Sequence, residues 1–245
     1  MDESPTAGTI LTRRVEAITD PGLEVRAVTE GDELVMVETG DGAAGVAMNP
    51  ETALPSVTGH SAYDVARQGA TATDVGTRTV GVAALNAIDP PSQPQPGFDP
   101  FKRLDPAAER VAMVGLFGPV LKHLEAAHVD VFERNPGELS VPESLAAGLD
   151  VSMHPPSAAG KRVPEAAVLF ITGSTLVWGG IETYLHAARP DQTVVVVGAS
   201  ASFGPQPLFE AGVSMVAGAS VENPAHVRRA LTEGKSEADL HDGGL

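Results

Sequence analysis

The sequence contains no cysteine among its 245 residues. Disulfide bonds and thiolate metal ligands are therefore excluded, and a bound metal would depend on His, Asp or Glu, or on ligands carried in by another molecule. Aromatic residues are also scarce, at 4% of the chain. Hydrophobic residues nevertheless make up 42%, which is enough for the core of one large domain or of two modest ones.

Positive charge is in short supply as well, because only four lysines are present and the formal net charge is −16. Binding nucleic acid through a basic face is not expected, since neutralising phosphates needs clustered Lys and Arg. The acidic balance is typical of a halophilic cytoplasm, although an acidic surface could also bind cations. No apolar run approaches the roughly 18 residues of a membrane span, and no signal peptide is evident. We therefore expect a cytoplasmic protein without nucleic-acid or membrane partners.

Residues 1–89 have the pattern of a small α+β domain. Hairpin signals at Gly31-Asp32 and Gly40-Asp41-Gly42 separate three short apolar segments, which predicts a three-stranded antiparallel sheet. A short helix is expected to stop at Gly69, and Asp74 is expected to cap a longer one. The expected strands are residues 23–28, 34–37 and 43–48, and the expected helices include 61–68 and the segment that follows residue 74.

A proline-rich linker, residues 90–100, marks the clearest boundary in the chain. After it, residues 101–245 alternate between strand and helix patterns, which predicts a parallel sheet. The proline-rich connection 135–164 is long, and a lid and an insertion both remain open. Strands are expected at 111–115, 129–132, 167–172, 193–198 and 213–217, and helices at 119–128, 177–188, 207–211 and 224–233.

Three of the expected strands end in glycine-containing turns, namely segments 115–119, 172–175 and 198–200. Because the carboxyl ends of parallel strands meet at one edge of a sheet, these turns are expected to form a pocket. Glycine permits close backbone approach, and the hydroxyls of Ser174 and Thr175 can donate to a ligand. The alternative is that Ser174 or Thr175 only caps the next helix.

Two further residues are candidates for site chemistry. Glu133 ends the second strand of the second half, where dinucleotide-binding domains carry the acid that binds a ribose hydroxyl. NAD is not favoured, because the turn at Gly115 has the spacing G-x-x-G rather than G-x-G-x-x-G. No pair of histidines has the spacing of a helical zinc site, so the histidines are expected to be surface residues rather than ligands. His154, in the long connection, is the least implausible metal ligand among them.

Several segments together resemble one family, the putative heavy-metal chelation family. The segments are 83–87, 111–117, 131–136, 198–200, 212–218 and, as the most specific part, Ile171-Thr172-Gly173-Ser174-Thr175-Leu176. The resemblance implies an enolase-amino-terminal-like α+β domain followed by a Rossmann-like parallel-sheet domain. It also implies a site in the cleft between them, lined by Asn86, Gly115, Phe117, Glu133, Thr172, Gly173, Ser174, Thr175, Gly198 and Ser200.

Two functions from different classes follow as hypotheses. The first is binding of a small anionic or metal-chelating molecule in the cleft, with a divalent heavy metal or a chelator as the bound species and a part in metal homeostasis. The second is a transferase or lyase acting on a cofactor-like molecule in the same cleft, with Glu133 and His154 as acid/base candidates. An inert scaffold is a third possibility, and a homo-oligomer is compatible with all three.

Overall fold

The computed structural model describes residues 4–92, 95, 99–103, 105–125, 128–137, 141–146, 148–235 and 240. Its first half contains helices α1 to α3 and an antiparallel sheet in the order β1-β2-β3. The predicted meander is confirmed. The elements are α1 (Ala7–Ala17), β1 (Val25–Glu30), β2 (Leu34–Thr39), β3 (Ala44–Met48), α2 (Ala62–Thr71) and α3 (Val75–Ile88).

The helices of the first half show how local signals and packing compete. Asp74 caps α3 as predicted, because its side chain accepts from the backbone N–H of Thr77 at 2.8 Å. The prediction that Gly69 stops α2 is wrong, since the helix continues to Thr71. Gly69 faces Gly81 of α3, and a Cβ on either glycine would lie 2.5 Å from the other's Cα. Gly69 therefore permits a close helix crossing instead of ending the helix.

The second half forms a six-stranded parallel sheet in the order β6-β5-β4-β7-β8-β9. This is the order of the doubly wound dinucleotide-binding fold, with its switch point between β4 and β7. The predicted α/β class is confirmed. The strands are β4 (Arg110–Val114), β5 (His128–Phe132), β6 (Asp150–His154), β7 (Val168–Thr172), β8 (Thr193–Val197) and β9 (Met215–Ala217).

Three sequence predictions in this half need correction. The connection 135–164 contains the edge strand β6, which was not predicted. The single helix expected over 177–188 is two helices, because Gly179 and Gly180 adopt φ values of 83° and 91° that break it. The helix expected at 119–128 already ends at His123. The helices are α4 (Gly118–His123), α5 (Glu143–Ala146), α6 (Ala159–Arg162), α7 (Thr175–Trp178), α8 (Ile181–Ala187), α9 (Gln206–Glu210) and α10 (Pro224–Thr232).

The two halves are packed against each other. One hydrophobic core runs from the helices of the first half, for example Ile10 and Val80, to one face of the parallel sheet at Leu169 and Val196. Strand β2 is buried along its whole length. Its alternate residues Val35 and Val37 join that core, while Leu34 and Met36 join a second core that includes Val227 and Leu231 of α10.

The likeness of the first half to the amino-terminal domain of enolases stays a prediction, as does the domain boundary across residues 90–100. Residues 93–94 and 96–98 of that linker lie outside the described part of the chain. Within the described part, no helix has the length and apolar character needed to cross a membrane.

Candidate functional site

A cleft of about 390 Å³ lies at the carboxyl ends of β7 and β8, where the first half meets the second. Parallel sheets of this type bind ligands at their carboxyl edge. The second half contributes Thr172, Ser174, Gly198, Ala199 and Ser200, and the first half contributes Asp32, Glu33, Leu34, Met48, Asn49 and Glu51.

The turn after β7 presents hydroxyl groups to this cleft. The hydroxyls of Thr172 and Ser174 lie 3.0 Å apart and share one hydrogen bond. The hydroxyl of Thr175 instead donates to the carbonyl of Thr172 at 2.7 Å, and Thr175 is buried. The alternative that Ser174 or Thr175 only caps the next helix is wrong, because α7 has no side-chain cap. Thr172 and Ser174 are therefore the hydroxyls of this turn that face the cleft.

Gly173 does not line the cleft; it allows two turns to approach each other. Its N–H donates to the carbonyl of Val197 at 2.6 Å, and a Cβ on Gly173 would lie 3.1 Å from the carbonyl oxygen of Gly198. Gly198 has a φ of 129°, in the region that favours glycine. The two glycines thus bring the turns after β7 and β8 together.

Ser200 and Asn86 join the two halves beside the cleft. The hydroxyl of Ser200, which is 2% exposed, accepts from the backbone N–H of Met48 at 3.0 Å. The amide of Asn86 donates to the carbonyls of Val46 at 2.7 Å and of Ala199 at 3.1 Å. Ser200 lines the cleft, whereas Asn86 lies behind its wall. These bonds fix the end of β3 against the turn after β8.

The first half supplies an acidic wall, which we define as Asp32, Glu33 and Glu51. Asn49 organises it, because its amide donates to the carbonyl of Gly31 at 2.6 Å and its Oδ1 accepts from the N–H of Glu51 at 3.0 Å. Glu51 has a φ of 53°, which is uncommon for a residue with a side chain.

The acidic wall continues into an adjoining depression of about 520 Å³, which Glu30 also lines. Sequence analysis missed these acids, because Gly31-Asp32 was interpreted only as a hairpin turn. Among the described residues that line the cleft, none is Lys, Arg or His.

The remaining predicted residues lie elsewhere. Gly115 follows directly after β4 with a φ of 84°, and a Cβ there would touch Thr172 at 3.4 Å. Phe117 packs with Phe101 and Phe170 in the core on the opposite face of the sheet, with ring centroids 6.2 and 6.4 Å away. Of the ten predicted site residues, the cleft brings together Thr172, Ser174, Gly198 and Ser200.

Glu133 is half-buried at the end of β5, and burial is the main cause that raises the pKa of its carboxyl; the guanidinium of Arg134 lowers it to a smaller extent. Burial likewise raises the pKa of Tyr184 to about 12, with a further contribution from the charge of Glu133. Glu133 does not line the cleft.

His154 is engaged in an interaction of its own. Its Nε2 lies 2.7 Å from Oδ1 of Asp130, a carboxylate that is fully buried in β5. Across the described ranges, no three His, Asp or Glu side chains are grouped so that they could hold a metal ion. His154 is thus paired with a carboxylate at the edge of the sheet, away from the cleft.

Two family models match the chain, and both are described as putative heavy-metal chelation. One, DUF4213, matches residues 14–88, and the other, DUF364, matches residues 99–245. No curated protein matches.

Two solved structures are similar over nearly the whole chain. One is a protein of unknown function from the DUF364 family of Pyrococcus horikoshii, 22% identical, with a TM-score of 0.76 over 96% of this chain and 95% of that one. The other is a protein of unknown function from the same family of Desulfitobacterium hafniense, 18% identical, with a TM-score of 0.69 over 98% of this chain and 96% of that one. At these identities the structures support the fold alone. The family models confirm the resemblance inferred from the sequence, and the chain belongs to the putative heavy-metal chelation family.

Proposed function

We propose that the chain binds a small metal-bearing molecule in the cleft between its two halves. The observation that carries the proposal is the convergence of two unlike walls on one cleft of about 390 Å³. The hydroxyls of Thr172, Ser174 and Ser200 form one wall, and the acidic wall forms the other. A cleft of this size, with a few polar groups in fixed positions, suits a small ligand.

The charge of the cleft favours a ligand with a positive centre over a free anion. The acidic wall places three carboxyl groups on one side, and no described lining residue carries a positive charge. A bare phosphate or dicarboxylate would be repelled by that wall, because like charges at close range disfavour each other. A divalent cation or a cationic group would instead be attracted.

The donor set favours a metal that arrives already chelated. Carboxylates and hydroxyls suit hard cations, whereas soft heavy metals prefer nitrogen and sulfur ligands. The chain has no cysteine, and its described residues do not group three metal-ligating side chains. The bound molecule would therefore supply most of the ligands, and the carboxylates of the acidic wall would bind the open positions of the metal, directly or through its water ligands.

Melting of the purified protein with and without Ni²⁺ and its citrate complex tests the proposal, together with native mass spectrometry and elemental analysis. At a free ligand concentration of about a hundred times Kd, binding would stabilise the folded protein by about 2.7 kcal/mol. The variant Asp32→Asn/Glu51→Gln should lose the stabilisation. Glu16→Gln/Glu24→Gln removes the same charge from exposed positions outside the cleft and should keep it. Neither metal nor ligand in the purified protein, with unchanged melting on addition of either probe, would reject the proposal.

A second candidate function, a transferase or lyase, is favoured by Glu133. A half-buried carboxyl with a raised pKa at the carboxyl end of a parallel strand is the kind of group that acts as a general acid or base. The other candidate, His154, is paired with Asp130. If the chain is an enzyme, Glu133→Gln should abolish turnover of a substrate that still binds, whereas a binding protein should bind its ligand equally well with either residue.

A further inference from the structure

Arg134 and Trp178 form a stacked pair beside the cleft. Arg134 follows β5 and is exposed, and its guanidinium carbon lies 4.0 Å from the centroid of the indole ring of Trp178. A planar guanidinium held over an indole keeps its N–H donors at the rim of the ring, where they can bind a carboxylate with two parallel hydrogen bonds. The pair thus places a positive charge over the indole ring.

The pair spans the switch point of the parallel sheet. Arg134 follows β5 and Trp178 ends α7, which follows β7, and β4 lies between these two strands. Gly115 follows directly after β4, and a Cβ there would touch Thr172. The stacked pair therefore lies at the crevice in which doubly wound sheets bind ligands.

Trp178 also connects the pair to the cleft. Its backbone N–H donates to the carbonyl of Ser174 at 2.9 Å, so the two residues are one helical turn apart and share a face of α7. Its indole N–H lies 3.0 Å from the sulfur of Met48, and both Met48 and Ser174 line the cleft. Neither Trp178 nor Arg134 is among the residues that line the cleft, and the indole ring adjoins the cleft through Met48.

We propose that Arg134 and Trp178 form a second subsite of the proposed ligand site, which binds a carboxylate of the chelator while the metal faces the acidic wall. This inference rests on the proposed function and defines the ligand class. The ligand carries a metal centre at one end and a free carboxylate at the other, as a 1:1 metal–citrate complex does. Arg134 supplies the positive charge that the described lining of the cleft lacks.

Calorimetric titration of three probes tests the subsite: Ni²⁺ alone, citrate alone and the 1:1 Ni²⁺–citrate complex. Wild type should bind the complex more tightly than Ni²⁺ alone. Arg134→Gln should weaken binding of the complex by about 10-fold to 100-fold, the range for a hydrogen bond to a charged group, and leave Ni²⁺ alone unchanged. Arg67→Gln, an exposed arginine of α2 that pairs with Asp64, is the matched control and should change neither affinity.

Trp178 provides an independent readout, because it is the only tryptophan in the chain. The Ni²⁺–citrate complex should quench the fluorescence of Trp178 in wild type. In Arg134→Gln the same quenching should require a concentration of the complex that is higher by the factor by which its Kd rises. The inference is overturned if wild type binds the complex and Arg134→Gln binds it as tightly, or if Arg134→Gln weakens Ni²⁺ alone to the same degree. If wild type binds neither metal nor complex, the proposed function fails together with it.

Discussion

Gly45 of β3 is the position at which a single added methyl group should do the most damage. Gly45 faces α3, and a Cβ there would lie 2.7 Å from the carbonyl carbon of Asn86 and closer still to the backbone of Ala83 and Ala87. These neighbours are helix backbone, which cannot move aside as a flexible side chain could. Gly45→Ala would therefore push α3 away from β3.

The expected cost follows from two opposing effects. Overpacking a well-packed core typically costs about 1–3 kcal/mol, and close contact with the backbone of α3 places Gly45→Ala near the upper end. Replacing glycine also reduces the conformational entropy of the unfolded chain, which stabilises the folded protein by about 0.4–1 kcal/mol. The net loss is about 2 kcal/mol, which lowers Tm by about 4–8 °C for a chain of this size.

Thermal and urea unfolding of Gly45→Ala and Gly160→Ala measures this difference. Gly160 lies in α6, is exposed, and has no atom within 4 Å of an added Cβ. Gly160→Ala should therefore match wild type or exceed it by up to about 1 kcal/mol. If Gly45→Ala unfolds at or above the wild-type temperature, the close contact between α3 and β3 does not exist as described.

Three further predictions concern the region around the cleft. Ser200→Ala removes the acceptor of the partly buried N–H of Met48 and should lower the free energy of unfolding by about 0.5–1.5 kcal/mol in urea titrations; an unchanged midpoint would contradict the bond. Burial raises the pKa of Glu133 above 4.5, so the native state binds that proton more tightly than the unfolded state, and ionisation costs stability as pH rises. Glu133→Gln should thus have a larger free energy of unfolding than wild type at neutral pH, and the difference should disappear below about pH 4. A difference that grows in acid would show that the pKa of Glu133 is lowered rather than raised. The same variant should lower the pKa of Tyr184 from about 12, as followed by phenolate absorbance, because it removes the neighbouring charge.

The sequence predicts the central strands well and the edge strand poorly, for a physical reason. Strands β7 and β8 are covered on both faces, so their sequences are uninterrupted apolar runs. Strand β6 lies at the edge, and Asp150, Ser152 and His154 alternate with two apolar residues. Nothing within residues 150–154 distinguishes such a short segment from a polar connection.

Glycine positions show the same limit in the helices. Gly69 lies inside α2, whereas Gly179 and Gly180 break the helix expected around them. A glycine that permits close packing and a glycine that ends a helix are identical in the sequence. Only the residue on the facing element, Gly81 in the case of Gly69, decides between the two roles.

The two walls of the cleft differ in how far the sequence predicts them. Thr172, Ser174 and Ser200 follow parallel strands, and the topology alone brings such strand ends to one edge. Asp32 and Glu33 of the acidic wall lie in the turn between β1 and β2, and Glu51 follows β3. Their position depends on distant contacts, such as the bonds of Asn86 to Val46 and Ala199. Those contacts join residues that are far apart in the chain, so no local pattern reveals them.

Strand β2 is buried on both faces, and this has a consequence for how the chain folds during synthesis. The outer face of the antiparallel sheet, with Leu34 and Met36, is covered by Val227 and Leu231 of α10. During synthesis the outer face of the antiparallel sheet therefore stays exposed to solvent until residues 224–232 have left the ribosome. A nascent or truncated chain that lacks α10 should be prone to aggregate and should require a chaperone, even though every residue of its first sheet is present.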